Sequence, residues 1–162
     1  MQSCLFPLYS SVVYHNLLNY KTMMIPKATA GAIIYRNVNA SYEILLTKRD
    51  VNPFKDYWCL PGGHIDQYEP AEDAIIREVK EETDLDFSPL FLCYLDEIFP
   101  EMKLHNVVMM FYGQAAGIPK ANPGEVSGIG WFSLEEAMKM DLAFCHNQAL
   151  EIFLDKLDQL QS

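Results

Sequence analysis

The chain has 162 residues, half of them hydrophobic, with 12 Lys and Arg against 22 Asp and Glu and a formal net charge of −10. That length and apolar content suit one domain with one good core. The acidic balance argues against a general binder of nucleic-acid backbones, which needs cations to replace the counterions it releases. A small phosphorylated ligand stays open, because its charge can be met locally by metal ions and a few basic side chains.

Residues 1–22 are apolar and tyrosine-rich, with no charge before Lys21 and with Pro7 interrupting the apolar run. They lack the basic start of a signal peptide. They are expected to be an accessory segment, or to precede a start at Met23 or Met24, with the domain occupying 23–162. No stretch approaches the ~18 consecutive apolar residues of a spanning helix. The four cysteines, at 4, 59, 93 and 145, form no C-x-x-C pair and no zinc spacing, so a reduced thiol set in a cytoplasmic chain is expected.

From Ala28, TAGAIIYR and YEILLTKR read as a hairpin joined by the turn-like segment Asn37 to Ser41. Trp58 to Gly63 reads as a short strand ending in a tight turn, since Gly62 and Gly63 permit close backbone approaches that side chains forbid. A helix is predicted over 70–83, with Pro70 at its first position and Glu72 and Asp73 beside the positive end of its dipole. Ala71, Ala74, Ile75, Ile76 and Val79 supply its apolar flanks. Glu78, Glu81 and Glu82 stand three and four residues apart and so crowd one face, about 5–6 Å apart at Cβ. Their repulsion weakens a bare helix, whereas a hard divalent ion with oxygen ligands turns the same cluster into a site.

Leu90 to Phe99 and His105 to Gly113 read as strands, the second apolar enough to sit centrally in a sheet. Ala115 to Gly130 is rich in turn-forming residues and reads as a loop. Ser133 and Glu136 form a capping box for a new helix, and a last helix, about 146–160, carries Ala149, Ile152, Phe153, Leu157 and Leu160 as a core stripe.

The segment from Gly63 to Leu85 resembles the signature of the Nudix hydrolases, G-x5-E-x7-R-E-U-x-E-E-x-G-U with U a bulky aliphatic residue. Gly63, Glu69, Arg77, Glu78, Val79, Glu81, Glu82 and Leu85 fit. Asp84 departs from it, standing where the family has a glycine suited to a left-handed cap, a conformation that Asp tolerates better than most residues. The resemblance implies an α/β fold, an α/β/α sandwich with a central mixed β-sheet, from Ala28 to about Leu160. It also implies hydrolysis of a nucleoside diphosphate linkage by metal-assisted attack of water on phosphorus. Glu78 and Glu82 are then the main Mg2+ or Mn2+ ligands, Glu81 adds charge to the cluster, the Gly63 carbonyl contributes from the turn, and Arg77 orients a glutamate. Glu125, six residues before Trp131, matches the acidic loop residue that serves as base in MutT-type members. On the residues alone it is equally a solvated loop glutamate.

Substrate selection lies outside the motif. Lys48 and Arg49 end a strand and are candidates to hold phosphate, although such pairs are usually just solvated. Asn147, beside His146, lies about where MutT-type enzymes place an asparagine on a purine edge, if one residue is inserted after Trp131. A helix N-cap, where asparagine is favoured, is the preferred single explanation, and the two roles are compatible. Phe144 is a candidate to stack on a base, or else a core residue. Pro100 lies fifteen residues past the motif, near the spacing of some ADP-ribose hydrolases, but IFPEMK lacks their glycine-rich context. A standard or oxidised nucleoside triphosphate, giving a monophosphate and pyrophosphate, therefore ranks above ADP-ribose or a dinucleotide. A catalytically silent nucleotide sensor is the alternative from another class. The expected partner is a small nucleotide, with no nucleic-acid polymer and no membrane, bound by a monomer or homodimer.

Overall fold

The computed structural model describes residues 25–39 and 41–161. The expectations for the accessory segment 1–22 and for Cys4 lie outside the described residues. The hairpin is present as β1 (Lys27–Val38) and β2 (Ser41–Arg49), paired antiparallel from Tyr35 opposite Ile44 to Val38 opposite Ser41. The segment expected as one strand before the motif is two: β3 (Trp58–Cys59) pairs with β2, and β4 (Gly62–His64) pairs with the start of β1. Pro61 lies between them and has no N–H to donate to a ladder, which separates the two pairings.

The motif helix α1 spans Ala71–Thr83. After the short β5 (Asp86–Phe87), β6 (Leu90–Phe99) and β7 (Leu104–Gly113) form an antiparallel pair. β7 also runs parallel to β1, from Lys27 opposite Asn106 to Ile34 opposite Gly113, and so lies inside the sheet as its apolar run predicts. β8 (Ala115–Ala116) pairs with β5, and β9 (Val126–Ser133) pairs with β2. The expected loop over 115–130 thus ends early, because pairing with β2 overrides the turn propensity of Gly128 and Gly130. Ser133 and Glu136 make the capping box of α2 (Leu134–Lys139), and α3 (His146–Gln161) closes the fold.

The sheet is mixed and its faces carry separate cores. Ile33, Ile44, Leu46, Val108 and Met110 face one side, where Ala149, Leu150, Phe153 and Leu157 of α3 cover them. Ala32, Ile34, Leu45 and Phe111 face the other side and meet Ile75 and Val79 of α1. Period-2 alternation along β1, β2 and β7 sends successive apolar residues to opposite helical layers, and the result is an α/β/α sandwich. Among the described residues Cys59, Cys93 and Cys145 are free thiols, and no helix is long and apolar enough to cross a membrane.

Candidate active site

The motif helix begins one residue later than its composition suggests. Pro70 is extended, at φ −62° and ψ 144°, and caps the helix from outside it. At the other end Asp84 adopts φ 58° and ψ 17°, the left-handed conformation that a glycine would supply, and its N–H reaches the Lys80 carbonyl at 3.0 Å. Lys80 Nζ donates to the Asp84 carbonyl at 3.0 Å and pairs with the carboxylates of Asp84 and Asp86 at 3.0 and 3.1 Å. The departure from the motif therefore keeps the geometry of the cap.

β4 brings Gly62 and Gly63 against this helix. A Cβ on Gly63 would stand 2.5 Å from the carboxyl carbon of Glu78, so only glycine lets that carboxylate lie flat on the loop. The Gly62 N–H donates to Glu82 Oε2 at 3.3 Å. Burial, more than that hydrogen bond offsets and with the charges of Glu78 and Glu125 adding to it, pushes Glu82 up to about 8. Glu78 is also raised, first by burial and then by Glu81 and Glu125, against the lowering pull of Arg77. Glu125 comes from the loop before β9 and lines the same cleft as Glu78, Glu82, Gly62 and Gly63. Its carbonyl accepts from the N–H of Asp50, which ties that loop to the end of β2 at 3.1 Å.

Arg77 is not aimed into the cleft. Its guanidinium binds Glu69 twice, at 2.8 and 2.9 Å, and also donates to Glu78 at 2.8 Å, Glu81 at 3.1 Å and the His64 carbonyl at 3.0 Å. Glu81 is thereby turned out of the cleft, toward a shallow depression shared with Lys80 and Lys120. Among the described residues no three Asp, Glu, His or Cys side chains converge as a ready metal cage. The donor chemistry still fits a hard divalent cation. Two buried or half-buried carboxylates, Glu78 and Glu82, repel each other across a glycine cradle with Glu125 facing them, and added positive charge relieves all three.

A second cavity adjoins the first through Thr29, Arg49, Gly62 and Gly63 and runs inward to Glu97, Asn106, Phe144 and His146. Arg49 Nε donates to the Pro53 carbonyl at 3.0 Å, and its guanidinium lies 4.9 Å from the centroid of Phe144. The structure thus brings Arg49 and Phe144 together at this wall. Lys48 lines neither cavity; its side chain lies against Gly128. Asn147 also lines neither. Its Oδ1 accepts from Leu142 N at 3.3 Å and its Nδ2 donates to the carbonyls of Met140 and Met138 at 2.9 and 3.4 Å. It is the second residue of α3, so instead of capping that helix it fastens the 138–142 loop.

Glu97, Asn106, Thr29 and His146 were not singled out from the sequence as site residues. His146 accepts the Leu60 N–H on Nδ1 at 2.9 Å, and burial, then the charge of Arg49, lowers it to about 3. Glu97 is raised by burial, against the hydrogen bonds of Asn106 and the Cys145 N–H and the charge of Arg49. One signal existed. Glu97 shares its period with Leu95, an inward position of β6, where a carboxylate is out of place without a purpose.

A protein-family model described as the NUDIX domain matches residues 26–153. An ADP-ribose pyrophosphatase of Methanocaldococcus jannaschii is 40% identical over 70 residues, 43% of this chain and 39% of that protein. A putative 8-oxo-dGTP diphosphatase of Bacillus subtilis is 34% identical over 106 residues, 65% of this chain and 66% of that protein. The matched segments thus span less than two thirds of these relatives' own lengths. The crystal structure of a MutT NUDIX hydrolase from Burkholderia pseudomallei superposes with a TM-score of 0.72 at 32% identity, covering 78% of this chain and 97% of that one. With its acidic helix laid on a diglycine turn inside this sandwich, the chain belongs to the NUDIX family, of MutT type.

Proposed function

We propose that this protein hydrolyses the diphosphate linkage of a nucleoside triphosphate, releasing a nucleoside monophosphate and pyrophosphate, with Mg2+ or Mn2+ as cofactor. The observation that carries the reading is the facing of Glu78, Glu82 and Glu125 across the Gly62–Gly63 turn, in a cleft continuous with a polar inner cavity. Glu78 and Glu82, with the backbone of Gly63, would hold the cation, which supplies neutralisation of phosphate oxygens, and Glu81 adds negative charge from outside the cleft.

The chain's own residues do the rest. Arg77 sets the orientation of Glu78 and Glu81 by charge-assisted hydrogen bonds. Glu125 takes the proton of the attacking water as its oxygen bonds to phosphorus and the bridging P–O bond breaks. Arg49 stands between the acidic cleft and the inner cavity, where its charge offsets the substrate's phosphates. The M. jannaschii relative is named for ADP-ribose, and that compound is the competing substrate.

The test is a screen of standard and oxidised nucleoside triphosphates, ADP-ribose and dinucleoside polyphosphates with Mg2+ or Mn2+, read by phosphate release after phosphatase coupling. Glu82→Gln removes one charge with little change of shape and is expected to lower turnover by at least about 100-fold. Unchanged metal-dependent turnover in that variant overturns the assignment of the site. Turnover of ADP-ribose alone moves the substrate to that class. Tight nucleotide binding with no product over long incubation makes the protein a sensor.

A further inference from the structure

A second charge cluster, of the opposite sign, stands beside the acidic cleft. A cavity of about 360 Å³ opens at the end of the sheet where β1 and β7 begin, and Lys27, His64, Lys103 and His105 line it together with Ile25 and Met102. Strand pairing brings these residues together: Lys27 lies opposite Asn106 in the β1–β7 ladder, and His64 lies opposite Thr29 on β4. His64 also lines the acidic cleft, so the two spaces meet at that residue, whose carbonyl Arg77 holds at 3.0 Å. In a chain with 22 Asp and Glu against 12 Lys and Arg, no carboxylate lines this cavity among the described residues. The nearest acids face elsewhere: Asp66 lines the acidic cleft, and Asp96 stands 3.6 Å from His105 Nε2 outside the lining. Lys55, Lys80 and Lys139 each pair with a carboxylate, whereas Lys27 and Lys103 have no such partner among the described residues. Lys103 also adopts φ 50° and ψ 44°, the left-handed conformation that glycine and asparagine take at least cost. The turn itself gives no reason for a lysine there.

We propose that this cavity is an anion site for a phosphate group, held by Lys27, Lys103 and His64 without any metal ion. Like charges gathered around one space repel each other, and an anion that accepts charge-assisted hydrogen bonds from them removes that repulsion. Two ammonium groups match the charge of a phosphate dianion, with the His64 ring as a further polar contact. The net charge of −10 disfavours anions over the molecule as a whole, so a phosphate is held only where the sign is locally reversed. Ile25 and Met102, 82% and 50% exposed, give the cavity an apolar rim, and its volume is within the range of small-molecule sites. It therefore admits a phosphate with an organic group attached as well as a free one. Two sources share this chemistry: free inorganic phosphate, and a phosphate-bearing end of the compound whose other end enters the acidic cleft past His64. The site goes beyond the hydrolytic reading and does not depend on it.

Titration of the full chain with inorganic phosphate, followed by phosphorus NMR line width in EDTA at constant ionic strength, tests the site without metal or turnover. Saturable binding is expected, and a Lys27→Gln/Lys103→Asn double variant is expected to bind at least about 10-fold more weakly. Asparagine suits the left-handed turn, so urea unfolding of the double variant is expected to match wild type, which separates lost binding from lost folding. Absence of saturable binding overturns the proposal. So does binding unchanged in the double variant, or binding abolished by Arg49→Gln instead, which moves the phosphate to the acidic cleft. Steady-state hydrolysis with Mg2+ then distinguishes the two sources, through effects of added phosphate that the double variant lacks. A raised KM at unchanged kcat assigns the site to the substrate's own phosphate, and a changed kcat at unchanged KM assigns it to the free anion; either result upholds the site. Phosphate binding in EDTA with no nucleotide hydrolysed upholds the site and sinks the enzymatic reading. Hydrolysis without phosphate binding does the reverse.

Discussion

Arg77 grips Glu69 through two parallel hydrogen bonds, Nε to Oε1 at 2.8 Å and Nη2 to Oε2 at 2.9 Å. That fork holds the Glu69 carboxyl at about 2, well below the usual carboxylate range. It also anchors the guanidinium so that Nη1 reaches Glu78 and Glu81 together. A lysine is a point charge and cannot hold three glutamates in fixed directions. Arg77→Lys is expected to lower kcat/KM about 10- to 100-fold and to weaken the apparent Mg2+ affinity, both measurable by steady-state assays over a metal titration.

Gly63 lies where a methyl group would meet the Glu78 carboxyl carbon at 2.5 Å. Gly63→Ala is expected to displace that carboxylate, cost about 1–3 kcal/mol of stability from overpacking, and reduce turnover more than stability alone explains. Urea unfolding and activity at a temperature where the variant is fully folded separate the two effects.

Asp84 has a left-handed backbone, held by the Lys80 carbonyl and the Lys80 ammonium. Asp84→Gly removes the strain and loses the ion pair, so its stability is expected to stay within about 1 kcal/mol of wild type with activity unchanged. Asp84→Val has a β-branched side chain in that conformation and is expected to lose about 1–2 kcal/mol. Thermal unfolding of the pair checks the cap.

His146 is held near 3 in the fold by burial and by Arg49, against about 6.5 in the unfolded chain. Between those values the unfolded state binds more protons. The stability from a neutral His146 is therefore intact above about 6.5 and is lost as pH falls toward 3. From pH 7 to pH 5 that loss is about 2 kcal/mol. His146→Gln has no such proton to gain. Its stability deficit relative to wild type, from urea unfolding, is expected to shrink by about that amount at pH 5.

The parts of the site legible beforehand are those set by neighbours in sequence. Glu78, Glu81 and Glu82 share a helix face because 3.6 residues make a turn, and Ser133 caps α2 through Glu136 three residues on. Even within the motif, spacing did not say which glutamate enters the cleft. Glu82 is 8% exposed beside Gly62, whereas Glu81 turns to Arg77. Asn147 shows the same limit from the other side: its position agreed with a purine contact, but its amide is consumed by the backbone of 138–142.

What the sequence by itself determined is the acidic helix, its caps, the diglycine turn and the order of strands and helices, all of which follow from short-range periodicity and backbone sterics. The inner wall was decided only by tertiary structure. Glu97 faces inward because β6 pairs with β7 in one register, Asn106 meets Glu97 across that ladder, and α3 carries His146 to Glu97 from nearly fifty residues away. A one-residue slip of β6 would turn Glu97 to solvent, and nothing local to Glu97 specifies the register that prevents it.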